Sequence, residues 1–147
     1  MEFDLLSGRP LSATRHMSFN IRRSEERHES TLVYEIRKMI RFRRNRERLF
    51  GHHLFADPAW DIMLDLCLAA ETHKPVSVSS LCLAAAVPST TALRWIKMME
   101  EHGMLNRQED PHDKRRFFLA LAFDTHQRLK ALLHDRFNFT VDQSDYA

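Results

Sequence analysis

Hydroxyl and cationic side chains recur at helical spacing in residues 89–102. A helix over this segment carries four polar residues on one side, Thr90, Arg94, Lys97 and Glu101. Its other side is apolar, with Ala92, Trp95, Ile96 and Met99. Ser89 is a candidate N-cap, and Gly103 can end the helix with a positive φ. Hydroxyl groups and cations on an exposed helix face can bind the phosphates and base edges of DNA.

Three consecutive cations, Lys114, Arg115 and Arg116, follow this helix. They belong to a charged segment, residues 109–116, which is bracketed by strand-like runs at 104–108 and 117–121. An Asp-Pro pair favours a turn, so the sequence predicts a hairpin with a long charged tip. Cations at such a tip can reach phosphates or the minor groove. The alternative is a solvated turn whose cations pair with neighbouring acids, Glu109, Asp110 and Asp113.

The elements around these two segments indicate the fold. Residues 79–87 predict a short helix, and only Pro88 separates it from the next helix. Residues 76–78 predict a short strand that pairs with the hairpin. The expected fold is mainly α with a small β wing: a winged helix-turn-helix with flanking dimerisation helices. Its DNA-binding core spans residues 76–121.

The same residues resemble a known family. The run MEEHGML at 99–105, then Arg107, then DPHDKR at 110–115 is similar to the "LExxGL(I/V)xR…DPxDxR" signature of MarR-type transcription factors. The resemblance covers about residues 76–121 and implies that Ser89, Thr90, Thr91 and Arg94 lie on the groove-reading helix. It also implies that Arg115 is the wing arginine and that Asp113 orients it. Such proteins are homodimers whose terminal helices form the interface, and a small-molecule effector is expected near Phe42, Phe55 and Trp60.

A basic segment lies upstream of this core. Residues 37–48 contain seven cations and one anion, Glu47, although the whole chain has a formal charge of only +2. At helical spacing, four arginines form a ridge: Arg37, Arg41, Arg44 and Arg48. The packing side is expected to hold Leu32, Ile36, Met39 and Phe50. The ridge either follows DNA phosphates or is an exposed face whose cations meet acids across a dimer interface.

Other segments complete the predicted organisation. Residues 1–30 show no sustained periodicity and predict a flexible N-terminal arm, followed by a single winged-helix domain over 31–147. The first helix spans about 30–50, and the second begins with Asp57 as N-cap and Pro58 at the first helical position. Asp124 is the predicted cap of the last helix, whose inward residues are Leu129, Leu132, Leu133 and Phe137.

Residue types that carry catalysis are sparse. Cys67 and Cys82 lie on apolar helix faces and predict buried structural thiols, with oxidant sensing as the alternative. The nine histidines form no HExxH motif or Cys/His cluster, and we find no phosphate-binding glycine loop and no GxSxG elbow. We therefore expect no catalytic site, no metal and no cofactor.

The predicted function follows from these observations. We expect a homodimeric, sequence-specific regulator of transcription that binds double-stranded DNA, is not an enzyme, and places helix 89–102 in the major groove with wing 109–116 on flanking DNA. Without a transmembrane run or a secretory signal, a cytoplasmic, nucleoid-associated protein is expected. Two alternatives are a winged-helix module that binds an acidic partner protein and a replication or plasmid-control protein.

Overall fold

A computed structural model of the protein describes residues 30–138. Helices and strands within this part are α1 (Thr31–Phe50), α2 (His52–Phe55), α3 (Pro58–Glu71), β1 (Val76–Ser77), α4 (Val78–Ala84), α5 (Ser89–Glu101), β2 (Leu105–Asp110), β3 (Asp113–Leu121) and α6 (Phe123–Asn138). The predicted fold class, mainly α with a small β wing, is confirmed. The predicted N-terminal arm lies outside the described residues. None of the helices in residues 30–138 is long and apolar enough to cross a membrane.

Helix α1 buries an apolar stripe in its first half and charged residues in its second. Val33 and Ile36 are buried near its start, and Arg43 and Glu47 are buried near its end. Phe50 was expected on the packing side, and that prediction was wrong, since its side chain is 65% exposed. It packs edge-on against the ring of Phe55 instead, with 6.1 Å between the ring centroids.

Helix α3 lies at the centre of the core. The Asp57 carboxylate caps it by accepting a hydrogen bond from the Trp60 amide at 3.4 Å, and Pro58 is the first helical residue, as predicted. Ile62, Leu64, Leu66 and Cys67 are all buried. Because these residues point to more than one side of the helix, α3 packs against neighbours on several faces.

The three strands form an antiparallel sheet in the order β1-β3-β2. Val76 pairs with Leu119, so the short strand before α4 joins the hairpin as predicted. Leu105 pairs with Leu121 at the base of the hairpin, and these buried side chains attach it to the helical core. The sheet thereby fixes the hairpin next to α4 and α5.

Helix α4 begins and ends earlier than the predicted 79–87. The hydroxyl of Ser77 caps it by accepting a hydrogen bond from the Ser80 amide at 3.2 Å, which moves its start to Val78. The helix ends at Ala84, and Ala86 then adopts a left-handed φ of 52°. A residue in the left-handed conformation cannot continue an α-helix, so the chain turns here. Ala86 takes the position that glycine often occupies in such a turn.

Helix α6 packs on α3. Leu129 and Leu133 are buried as predicted, whereas the prediction for Leu132 was wrong because its side chain is exposed. The side chain of Phe137 lies outside what the structure describes. Phe123 is the first helical residue, so Asp124 lies in the first turn and is not the cap. The Asp124 carboxylate forms an ion pair with Arg128, one turn further along the helix, at 3.1 Å.

Candidate nucleic-acid interface

The outward face of α5 carries the predicted polar residues. Ala92, Ile96 and Met99 are buried, which confirms the helical phase. The exposed residues on the opposite side are Thr90, Arg94, Lys97 and Glu101. Lys97 Nζ lies 3.8 Å from the carboxylate of Glu101, so the acid on this face is partly neutralised. Arg94 and Lys97 therefore leave the start and middle of the helix face positive.

The beginning of α5 differs from the prediction. Pro88, and not Ser89, is the N-cap residue, and no side chain caps this helix end. Ser89, Thr90 and Thr91 consequently form the first turn, with Ser89 and Thr90 exposed and Thr91 half-buried. Amide groups of an uncapped first turn can donate hydrogen bonds to an anion such as phosphate.

The hairpin has a tighter tip than the sequence suggests. Strands β2 and β3 continue to Asp110 and Asp113, and only Pro111 and His112 form the turn. The Asp110 carboxylate accepts a hydrogen bond from the His112 amide at 2.8 Å, which closes the turn locally. The long charged tip over 109–116 was therefore wrong, because Lys114, Arg115 and Arg116 lie on strand β3. All three are exposed.

Side-chain alternation along β3 separates these cations. Arg115 shares a sheet face with Leu119 and Leu121, which are buried against the helical core. Arg116 is on the opposite face, where its guanidinium lies 6.0 Å from the centre of the Phe118 ring. Arg115 therefore extends from the face of the hairpin that carries the helices.

The predicted partnership of Asp113 with Arg115 is made through the backbone. The Asp113 carboxylate accepts a hydrogen bond from the amide of Arg115 at 3.0 Å. This contact fixes the path of the strand at the wing arginine and leaves its guanidinium uninvolved in that bond. Asp113 can thus place Arg115 without neutralising it at close range.

A residue that was not among the predicted site residues connects the hairpin to α5. Arg107, on β2, donates hydrogen bonds of 2.8 Å and 3.0 Å to the two carboxylate oxygens of Glu100. This bond raises the pKa of Arg107. The Arg107 guanidinium also lies 5.3 Å from the centre of the Phe117 ring on β3. Arg107 therefore contacts α5 and both hairpin strands. Its place in the family-like signature was the only indication from the sequence.

The arginine ridge on α1 is less uniform than predicted. Arg37, Arg41 and Arg48 are exposed, but Arg44 is half-buried. Arg44 forms ion pairs with Glu47 at 2.6 Å and Asp61 at 3.2 Å, and it donates a hydrogen bond to the Ala84 carbonyl at 2.7 Å. Because its donors bind groups within the protein, Arg44 is a structural residue that joins α1 to α3 and α4.

Arg43, which the sequence placed among the exposed cations, is buried more deeply than Arg44. Its Nε donates a hydrogen bond of 2.7 Å to Asp61, and both side chains are almost fully buried. Burial opposes the charge of Arg43, but the hydrogen bond and the negative charge of Asp61 raise its pKa. Two of the cations of α1, Arg43 and Arg44, therefore have their acidic partner, Asp61, on α3.

The three aromatic residues expected near an effector differ in exposure. Phe42 is exposed, Trp60 is half-buried, and Phe55 contacts the Arg46 guanidinium at 4.8 Å from its ring centre. A cavity of about 220 Å³ lies elsewhere, between α1, α3 and the start of α4. Its polar lining includes Arg37, Asp65, Thr72, Lys74 and Ser80.

The cysteines and histidines form no reactive group in the described part of the chain. Cys67 and Cys82 are buried free thiols, as predicted. Burial raises the pKa of the Cys67 thiol to about 11, with a contribution from Glu71 that Lys130 opposes, and burial also raises the pKa of Cys82. Both thiols therefore stay protonated near neutral pH. Within residues 30–138, no three His, Cys, Asp or Glu side chains are placed to hold a metal ion.

A known protein family matches part of the chain. Residues 63–122 match the family described as winged helix DNA-binding domain. The matched segment includes α4, α5 and the hairpin and begins within α3. None of the curated proteins matches the chain.

Several solved structures are similar to the chain. The transcriptional regulator Tm0710 from Thermotoga maritima is 25% identical, with 79% of this chain and 78% of that chain covered and a TM-score of 0.48. The MepR–DNA complex of S. aureus is 15% identical, with 72% of this chain and 87% of that chain covered and a TM-score of 0.49. MarR is 21% identical, with 71% of this chain and 74% of that chain covered and a TM-score of 0.42.

The family match and the chain's own elements agree. The helix pair α4–α5 and the three-stranded sheet have the order that a winged helix requires, and the matched residues contain both. The MarR-like signature lies within the same segment, at residues 99–115. Residues 63–122 therefore match a winged helix DNA-binding domain in sequence and have the helices and strands of that fold.

Proposed function

We propose that the protein recognises a specific DNA sequence as a homodimer, with α5 in the major groove and the hairpin wing on the flanking DNA. Thr90, Arg94 and Lys97 contact base edges and phosphates from the outward face of α5. Lys114, Arg115 and Arg116 contact the backbone or the minor groove. The observation that carries this proposal is the bidentate pair of Glu100 and Arg107. This pair joins α5 to the hairpin, so the cations of the two elements keep a fixed position relative to one another.

The direction of Arg115 supports its role in the wing. It extends from the same sheet face as Leu119, which packs on the helical core, whereas Arg116 lies on the other face. DNA bound to α5 would approach the hairpin from the helical side. Arg115 is consequently the wing cation best placed to reach that DNA.

Exposed apolar side chains on the terminal helices support a homodimer. They lie on α1 and α6 and include Tyr34, Phe42, Leu49, Phe50, Phe123 and Leu132. Single exposed apolar residues are common on protein surfaces, whereas six large ones on two helices leave apolar surface that a second copy of the chain could cover. A symmetric dimer presents two α5 helices, so the bound DNA should contain two related half-sites about one helical turn apart.

The test is selection of bound fragments from a random DNA library, followed by measurement of binding at several salt concentrations. A regulator of this kind enriches one palindromic sequence and binds it much more tightly than a scrambled duplex, and sedimentation shows dimers at the binding concentrations. If salt-sensitive binding to heparin persists while no sequence is enriched, sequence-specific recognition is refuted. An acidic partner protein then becomes the better explanation of the cationic surface.

A further inference from the structure

Leu93 is an exposed apolar residue on the flank of the α5 recognition face. It lies one helical turn after Thr90 and one turn before Ile96 and Lys97, between the buried and the polar sides of the helix. Its side chain is 47% exposed. The described residues thus leave a leucine uncovered on the surface that carries Arg94 and Lys97.

The chemistry of DNA limits what a leucine at this position can contact. Leucine has no hydrogen-bond donor, so it gains nothing from a phosphate oxygen. The edges of bases in the major groove are mostly polar, and their largest apolar group is the C5-methyl group of thymine. The main favourable partner of an apolar side chain that Arg94 and Lys97 bring into the major groove is therefore the thymine methyl group.

We propose that Leu93 packs against the thymine methyl group and is a specificity-determining residue of this protein. The proposal rests on the function proposed above, since it requires α5 to enter the major groove. It predicts that the recognised half-site contains a thymine opposite the second turn of α5. Neighbouring Thr90 can add its own methyl group or donate its hydroxyl to the adjacent base.

Deoxyuridine provides a direct test, because it differs from thymidine only by the missing methyl group and pairs in the same way. The duplex most enriched from a random library by the wild-type protein is synthesised with thymine and again with uracil at one thymine at a time. Dissociation constants on both forms are measured for the wild type and for Leu93→Ala. The control variant is Leu83→Ala, which removes a leucine that is 82% exposed on α4.

The wild type is expected to lose about four-fold in affinity for each contacted methyl group removed. Leu93→Ala should bind the thymine and uracil duplexes equally at that position, while Leu83→Ala should retain the wild-type ratio. Circular dichroism checks that both variants are folded. A wild type indifferent to every uracil substitution, or a Leu93→Ala variant that keeps the full ratio, would refute the proposal while leaving DNA binding intact. If no duplex is enriched at all, the proposed function fails, and the role of Leu93 fails with it.

Discussion

The Arg107 guanidinium on the first wing strand donates two hydrogen bonds to the Glu100 carboxylate on α5, at 2.8 Å and 3.0 Å. Two parallel bonds between planar groups fix orientation as well as distance. The pair lies at the surface, and its contribution to stability is accordingly at most about 1 kcal/mol. Its main consequence is geometric, because the proposed contacts require the wing and α5 to reach the same DNA.

Changing Glu100 distinguishes positioning from simple electrostatics. Glu100→Gln removes a negative charge near DNA, so a purely electrostatic account predicts tighter binding. If the pair positions the wing, affinity should instead fall, by about 1–2 kcal/mol, with the melting temperature nearly unchanged. Arg128→Ala is the control, since it removes another exposed ion pair, with Asp124 on α6. Tighter binding by Glu100→Gln would contradict the positioning role.

The wing arginine can be tested alone. Arg115→Ala should weaken DNA binding by about 1–3 kcal/mol and leave thermal stability unchanged, because the side chain is exposed on β3. Electrophoretic mobility shifts with the selected duplex measure the loss. Lys38→Ala, which removes an exposed cation from α1, should have a much smaller effect. Equal losses from both variants would mean that only net charge matters.

The two sides of α5 should respond differently to truncation. Ile96 is 1% exposed, so Ile96→Ala should lower the free energy of unfolding by about 2–5 kcal/mol through the cavity that it leaves. Arg94→Ala should leave folding intact and reduce discrimination between the selected and scrambled duplexes. Urea denaturation and competition binding measure these effects. An unfolded Arg94→Ala variant would show that its role is structural.

The arginine ridge on α1 divides into two kinds of residue. Arg44→Gln should lower the free energy of unfolding by about 1–3 kcal/mol, because it removes bonds to Glu47, Asp61 and the Ala84 carbonyl. Arg41→Gln should leave stability unchanged. If Arg41 neutralises a phosphate, its loss should reduce the log–log salt slope of binding by about 1. An unchanged slope would assign Arg41 to an exposed face without DNA contact.

Asp65 should make stability depend on pH in an unusual direction. Burial raises the pKa of the Asp65 carboxyl, although Arg44 offsets part of the effect. A raised folded-state pKa costs stability once the carboxyl ionises, and this cost is absent at low pH, where both states are protonated. Asp65→Asn should therefore increase the free energy of unfolding at neutral pH and change it little near about pH 3. Asp135→Asn, at an exposed position of α6, should show no such pH-dependent gain.

Periodicity was sufficient to predict α5, since Ala92, Ile96 and Met99 recur at the spacing that one buried face requires. The ends of the elements were harder to predict. Helix α4 was predicted to begin at residue 79, but Ser77, which also pairs with Phe118 in the sheet, caps it and moves its start to Val78. The wing tip was predicted too long because Asp110 closes the turn with its own carboxylate, which lets charged residues continue the strands.

The buried charges could not be predicted from spacing along one helix. Arg43 and Arg44 belong to a run of cations that reads as a solvated face, yet their partner Asp61 comes from α3. The sequence contains no local signal for a contact between residues so far apart in the chain. Arg107 differs in this respect, since its partner Glu100 is only seven positions away, across the turn at Gly103.

The bond from Arg44 to the Ala84 carbonyl has a consequence for how the winged helix could be transplanted. Ala84 is the last residue of α4, and carbonyl groups at the end of a helix need donors from outside that helix. Here the donor comes from α1, which lies outside the matched segment of residues 63–122. A graft of that segment onto a foreign scaffold would lose this donor, because Arg44 would be absent. The winged helix segment therefore depends on a residue outside it, and a working chimera must also include α1.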